Sequence, residues 1–257
     1  MKLVLLQPQL GYSDEDNLGR IKSALSSAPA ELAHDDIVLL PERFEPMGTR
    51  TGYEQEMSEL ARSLGCHVVG GSHHEERASG AVNSGLVLDP EGRVVGRYDK
   101  QRPYANERSW VGPGNELGEI EIAGRRVLVL ICADFWFSDL FARAERLPDL
   151  VLVPALSVTR KSTPDYSRAL WRHLAVARAY EFGAFVGVSD WGYPSRLPEL
   201  SASGVGGFAD PTLVEPARLF APIGDRAVAV HELDFDKLAA FRQDRVERGF
   251  FWKKLPA

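Results

Sequence analysis

Cysteine is scarce in this chain: Cys66 and Cys132 are the only two among 257 residues. Two cysteines cannot supply the disulfide framework of a small secreted domain, so a reducing, cytoplasmic setting is expected. Long apolar runs are missing as well. The opening Met1-Lys2-Leu3-Val4-Leu5-Leu6-Gln7-Pro8 is too short for a signal-peptide core. No stretch approaches the ~20 apolar residues of a membrane span, so no membrane partner is expected. Positive charge is outweighed, with a formal net charge of −6. Phosphate backbones call for clustered cations, so no nucleic-acid partner is expected either. A G-x-S-x-G nucleophile elbow and a Gly-rich phosphate loop are both missing, and no cofactor is expected. The run His73-His74-Glu75-Glu76 invites a metal. Adjacent side chains diverge on a strand, however, and no second ligand cluster has a recognised spacing. The expectation is therefore no metal site.

What is present is an ordinary globular composition, 44% hydrophobic and 26% charged, enough for a sizeable core. Short apolar runs at Lys2–Gln7, Asp36–Leu40, His67–Gly71, Arg126–Ile131, Leu150–Val153, Phe185–Val188 and Ala227–Val230 read as strands. Between them, Leu18, Ile21 and Leu25 recur at helical spacing. Tyr53, Met57, Leu60, Ala61 and Leu64 do so again, with Gly65 placed to end that helix. A third helix follows Thr163 as cap and Pro164 in the first turn, and closes at Gly183. Ser84–Leu88 and Val94–Tyr98 flank the turn residues Asp89-Pro90-Glu91-Gly92, a hairpin signal. Strands alternating with helices imply parallel strands covered by helices, and the hairpin adds antiparallel pairing. Mixed sheets are expected.

Reactive side chains in α/β proteins favour the carboxyl ends of strands. Glu42 follows Ile37–Pro41, Lys100 follows Val94–Asp99, and Cys132 follows Val127–Ile131. If those strands share a sheet edge, the three converge. A carboxylate can then take the thiol proton while a lysine ammonium lowers the thiol pKa and stabilises a tetrahedral oxyanion. Ala133 could add its backbone N–H. Each residue also has a plainer reading: a buried small hydrophobe for Cys132, a cap or loop carboxylate for Glu42, a solvated charge for Lys100.

The motifs around these residues decide between the readings. Leu39-Leu40-Pro41-Glu42, then Asn83-Ser84-Gly85-Leu86-Val87-Leu88-Asp89-Pro90-Glu91-Gly92 running on to Gly96-Arg97-Tyr98-Asp99-Lys100, then Ile131-Cys132-Ala133-Asp134 resemble, in order and separation, the three motifs of the nitrilase superfamily of carbon–nitrogen hydrolases. Arg178-Ala179-Tyr180-Glu181 and Gly206-Gly207-Phe208-Ala209-Asp210-Pro211 extend the likeness across nearly the whole chain. The resemblance implies a four-layer α-β-β-α sandwich with two mixed β-sheets, spanning 1–257 as one domain. It implies Glu42 as base, Lys100 as oxyanion stabiliser and Cys132 as nucleophile. The implied activity is amidase-like hydrolysis of a small linear amide or N-carbamoyl compound, with nitrile hydrolysis or a non-catalytic binding role as the alternatives. Glu107 resembles an additional glutamate that orients the lysine; its plainer reading is a surface salt bridge. Trp136, Tyr104 and Trp110 read equally as substrate-pocket residues and as packed aromatics.

Two stretches depart from the family pattern. Phe135-Trp136-Phe137-Ser138-Asp139 follows the nucleophile turn where an arginine or asparagine is common. Ser189-Asp190-Trp191-Gly192 ends the strand after the long helix. At the carboxyl end, Arg242, Arg245 and Arg248 read as an exposed basic helix. Phe250-Phe251-Trp252 then reads as an aromatic tail, and 242–257 fits a subunit contact in a homodimer or larger assembly.

Overall fold

The computed structural model describes residues 1–11, 16–28, 31–44, 49–195 and 201–251. The strands are β1 (Lys2–Leu6), β2 (Ile37–Leu39), β3 (His67–Val69), β4 (His73–Arg77), β5 (Gly80–Leu88), β6 (Val94–Asp99), β7 (Val111–Gly112), β8 (Gly118–Ile122), β9 (Arg125–Val129), β10 (Leu150–Pro154), β11 (Phe185–Ser189), β12 (Gly207–Ala209), β13 (Phe220–Pro222) and β14 (Val228–Glu232). The helices are α1 (Asn17–Ser26), α2 (Arg50–Leu64), α3 (Asp139–Arg143), α4 (Asp165–Phe182) and α5 (Phe235–Glu247).

The strands form two mixed sheets. The first runs β14-β1-β2-β3-β5-β4, with β6 and β7 also paired to β5; the second runs β13-β12-β11-β10-β9-β8. In the first, β1, β2 and β3 are parallel. In the second, β9, β10 and β11 are parallel. Strand alternation assigns the two faces. Leu3 and Leu5 of β1 join Val127, Val129 and Leu152 in the core between the sheets. Val4 and Leu6 turn the other way onto Ile21, Tyr53 and Met57 of α1 and α2. Period-two alternation requires that division. In the second sheet, Leu128, Val151 and Val186 face the other way, toward Trp171, Ala175, Ala179 and Phe182, the buried stripe of α4. Helix, sheet, sheet and helix thus form the four layers of an α-β-β-α sandwich. Gly187 of β11 marks a close approach of the two sheets: a Cβ there would lie 2.6 Å from Leu3 Cδ2, so a larger residue would push the sheets apart.

Local signals explain most helix ends. Thr49 caps α2 by accepting from the Gly52 N–H, and Gly65 ends it at φ 63°, where a side chain would be strained. Gly183 closes α4 in the same way. The start of α4 differs from expectation. Pro164 itself occupies the cap position and no side chain caps the helix, so Thr163 does not act as a cap.

The carboxyl-terminal helix also differs. Arg242 and Arg245 are buried in α5 rather than exposed. Arg242 donates to Asp149, the Gly183 carbonyl and the Pro148 carbonyl. The Arg245 guanidinium stacks on Tyr180, Phe250 and Phe251. Cationic heads over ring faces account for that burial. Trp252 and the residues after it lie outside the described residues.

The parallel strands of both sheets end on one side of the molecule. Ser189, the last residue of β11, accepts from the Leu6 N–H at 2.9 Å and donates to the Leu39 carbonyl at 2.8 Å. That single buried hydroxyl ties the carboxyl ends of β1 and β2 to that of β11. Two antiparallel steps, β3 to β5 and β5 to β6, return β6 to the direction of β2, so its carboxyl end joins them.

Candidate active site

Glu42, Lys100 and Cys132 all leave strands at this shared edge, but the strands do not share a sheet. Glu42 and Lys100 come from the first sheet, Cys132 from the second. Their meeting therefore depends on how the sheets stack. A single sheet edge, the arrangement expected from the sequence, is not what joins them.

Lys100 sits at the centre of the cluster. Its Nζ lies 2.6 Å from Glu42 Oε1 and 2.7 Å from Glu107 Oε2, and all three side chains are buried. Burial opposes the ammonium charge. The negative charges of Glu42 and Glu107 outweigh it and hold the lysine above its ordinary range, the expected result when opposite charges crowd a site. Its backbone is fixed on both sides: the Lys100 N–H donates to the Asn83 carbonyl and its carbonyl accepts from Gly114.

Glu107 is a buried partner and not a surface salt bridge. It follows Tyr104 and Ala105, the latter at φ 51°. Its Oε2 also accepts from the Tyr104 N–H at 3.1 Å. On Oε1 it meets Asn83 Nδ2 at 2.8 Å and His74 Nε2 at 3.0 Å. Burial alone would raise this carboxyl group. His74, Lys100 and Arg43 together hold it well below the usual carboxylate range.

Asn83 is a connection that the sequence reading did not single out. Its side-chain nitrogen donates to Glu107 and also to Glu42 Oε1 at 3.0 Å. One amide thus spaces the two carboxylates that hold the lysine. His74 was weighed above as a metal ligand. The ring lies against Glu107 and edge-on to Trp110 at 4.3 Å, while neighbouring His73 stacks on Tyr53 at 4.0 Å on the other strand face.

Cys132 follows β9 at φ 45° and opens a five-residue 3-10 turn ending at Trp136. A left-handed backbone at a non-glycine residue is strained, and such strain gathers at reactive sites. Arg43, directly after Glu42, shows it too at φ 48°. The thiol donates to the Leu156 carbonyl at 3.8 Å, and the Leu156 N–H donates to Glu42 Oε2 at 3.0 Å. Leu156 is thus a backbone bridge between the acid and the sulfur, with no side-chain signature in sequence. Burial, then the Glu42 carboxylate, pushes the thiol well above its ordinary pKa; Lys100 acts in the opposite direction and is outweighed. Lys100 thus lowers the thiol pKa as expected, but burial and the Glu42 carboxylate outweigh it.

Two cavities meet at Cys132. One, of about 390 Å³, is lined by Glu42, Arg43, Lys100, Glu107 and neighbours. The other, of about 500 Å³, is lined by Ala133, Trp136, Phe137, Leu170, Trp171 and neighbours. Tyr104 and Arg160 border both. Ala133, Trp136 and Tyr104 therefore sit where a substrate could reach them. Trp110 does not line either cavity and packs on His74 instead; no substrate contact is proposed for it. Below the site, Asp190 holds Ser157 through Nα at 2.9 Å and Oγ at 2.5 Å, which anchors the loop carrying Leu156.

Residues 3–211 match the family model described as carbon-nitrogen hydrolase. The chain belongs to that family. It falls in the nitrilase superfamily and is a carbon–nitrogen hydrolase. It is similar to the human omega-amidase NIT2, 27% identical over 94% of this chain and 91% of that protein. It is also similar to the omega-amidase YafV of Yersinia enterocolitica, 30% identical over 72% of each. A carbon–nitrogen hydrolase superfamily protein from Xanthomonas campestris, solved with an arsenic adduct in its active site, shares the fold. Its TM-score is 0.79 at 21% identity, covering 100% of this chain and 99% of that one.

Proposed function

We propose that this chain hydrolyses a small primary amide through a thioester on Cys132, with Glu42, Lys100 and Glu107 as the other members of the site. The observation that carries the reading is the buried Glu42–Lys100–Glu107 cluster, at 2.6 and 2.7 Å, in a cavity that Cys132 also lines. Glu42 takes the thiol proton as sulfur attacks the amide carbon. The resulting oxyanion is met by the Lys100 ammonium and the Ala133 N–H. Glu42 then returns its proton to the amide nitrogen, the carbon–nitrogen bond breaks, and ammonia leaves. Water gives a proton to Glu42 as it attacks the thioester; the carbon–sulfur bond then breaks, the carboxylic acid leaves, and Glu42 returns the proton to sulfur. Glu107 keeps Lys100 charged and aimed through these steps. The omega-amidase relatives support amides over nitriles as substrates.

The direct test is ammonia release from a panel of primary amides, N-carbamoyl amino acids and nitriles, with mass spectrometry of the acylated protein. Amide turnover with a mass adduct on Cys132 is the expected result; turnover of nitriles alone overturns it. Iodoacetamide separates this reading from a non-catalytic one. Cys132 should label faster than Cys66, whose thiol burial pushes up to about 12, and more slowly after Glu42→Gln. Equal, slow labelling of both cysteines would count against catalysis.

The assembly and location follow as parts of the same proposal. Exposed Phe137, Tyr166, Tyr180 and Phe250 support a homodimer or larger homo-oligomer, checked by sedimentation. Two unpaired, buried cysteines support a reducing cytoplasmic compartment, checked by fractionation of cells producing the protein.

A further inference from the structure

The two cavities at Cys132 differ in chemistry, and the difference bears on the acyl group. The smaller one is occupied by charges that already have partners. Lys100 is held by Glu42 and Glu107, and Arg43 lies 4.0 Å from Glu107. This side suits the reacting amide and water. The larger cavity is walled by Trp136, Trp171, Leu170, Tyr166, Leu156 and Val158. Trp136 and Trp171 meet edge to face at 5.6 Å and form an aromatic corner next to the sulfur. At about 500 Å³ it falls within the range of roughly 300–1,000 Å³ typical of small-molecule sites. A two- or three-carbon acyl chain would leave most of it to water against apolar walls.

Two cations also line this cavity. Arg160 and Lys161 are exposed, Arg160 over the Tyr104 ring at 5.5 Å and Lys161 over Tyr166 at 5.7 Å. A carboxylate carried in among the apolar walls would lose water and meet no buried cation among the described residues that line them, a large penalty. A ring would instead gain apolar burial and edge or face contacts with the two tryptophans.

We infer that the larger cavity binds the acyl side of the substrate as a bulky, ring-bearing apolar group, so that arylalkyl primary amides are preferred over short or dicarboxylic ones. The inference rests on the proposal that Cys132 is acylated by an amide.

Two measurements test it separately from that proposal. The first compares kcat/KM for propanamide, 3-phenylpropanamide and glutaramate by ammonia release. The phenyl compound should exceed propanamide by on the order of 100-fold, since one methylene in an apolar pocket is typically worth about 10-fold or more. Glutaramate should be the poorest. Trp136→Ala should narrow the phenyl-to-propyl ratio by about 10-fold. The second needs no turnover. Binding of 4-phenylbutan-2-one, 5-oxohexanoate and butanone, neutral or charged ketone counterparts of those amides, is followed by tryptophan fluorescence. The phenyl ketone should bind tightest. If glutaramate or propanamide is hydrolysed as well as the phenyl amide, the inference fails while the amidase reading stands. If the phenyl ketone binds best and no amide is cleaved, the amidase reading fails and the pocket assignment stands. Equal binding of all three ketones overturns the pocket assignment whatever the turnover.

Discussion

Lys100 Nζ lies 2.6 Å from Glu42 Oε1, and both side chains are only 3% exposed. Two full charges so deep in the protein are tolerable only because each has a partner. The same lysine also neutralises Glu107 at 2.7 Å. One ammonium therefore serves two carboxylates. When Glu42 accepts a proton from sulfur, the remaining Lys100–Glu107 pair keeps a counter-charge in place for the oxyanion.

Lys100→Met should be severe in two ways. It leaves two buried carboxylates facing each other without a cation. Removing one member of a buried pair costs roughly 3–5 kcal/mol, to be read from urea unfolding at neutral pH. Ammonia release should fall by at least about 100-fold, the loss typical of a single oxyanion donor. A variant with wild-type stability would contradict the charge cluster described here.

Asn83→Ala tests the amide that spaces the two carboxylates. Asn83 is fully buried and donates to both Glu42 and Glu107. Its removal leaves acceptors with one donor fewer, at a cost of about 1–3 kcal/mol. Because Asn83 holds Glu42 in place, kcat should drop more than KM rises. A change confined to KM would place Asn83 in substrate binding instead.

Acid and base should act on different groups. Glu107 is held below the ordinary carboxylate pKa by His74, Lys100 and Arg43. A depressed folded-state pKa stabilises the protein above the unfolded value, about 4.3 for Glu, and that stability is lost as pH falls further. Asp134 is the opposite case, raised by burial to about 7. The folded state then binds the extra proton, so stability declines as pH rises from about 4 to about 7. Asp134→Asn should flatten the upper part of the stability–pH curve and Glu107→Gln the lower part, both measured by denaturant midpoints.

Cys132 carries a backbone strain that glycine would relieve. At φ 45° a non-glycine residue costs on the order of 1 kcal/mol or more. Cys132→Gly should therefore be more stable than Cys132→Ala by about 1 kcal/mol, although both lose the nucleophile. Thermal unfolding of the two variants decides it, and equal midpoints would show that the turn carries no such strain.

Much of this protein was legible before its fold was known. Leu3-Val4-Leu5-Leu6 and Ile37-Val38-Leu39 form strands because uniformly apolar runs must be covered on both faces. Gly65 and Gly183 end helices because only glycine takes a left-handed backbone cheaply. Glu42, Lys100 and Cys132 stand out because each follows such a strand within an ordered set of motifs. Short or polar strands were not legible. Neither β4, with its histidines and glutamates, nor the two residues of β7 carries a periodic signal. Arg242 and Arg245 misled because their charge suggests solvent, whereas Asp149 and a set of aromatic rings cover them.

The sequence by itself determined the reactive groups and the strands that carry them, since apolar alternation and turn chemistry are local. Tertiary structure decided what those groups meet. Glu42 and Cys132 lie in different sheets and are joined only by sheet stacking, with the backbone of Leu156 between them. Burial and then the Glu42 carboxylate raise the thiol, while Glu42 and Glu107 keep the lysine charged against the cost of its burial. The shape of the acyl cavity likewise depends on α4 bringing Trp171 against Trp136, a contact that no local pattern encodes.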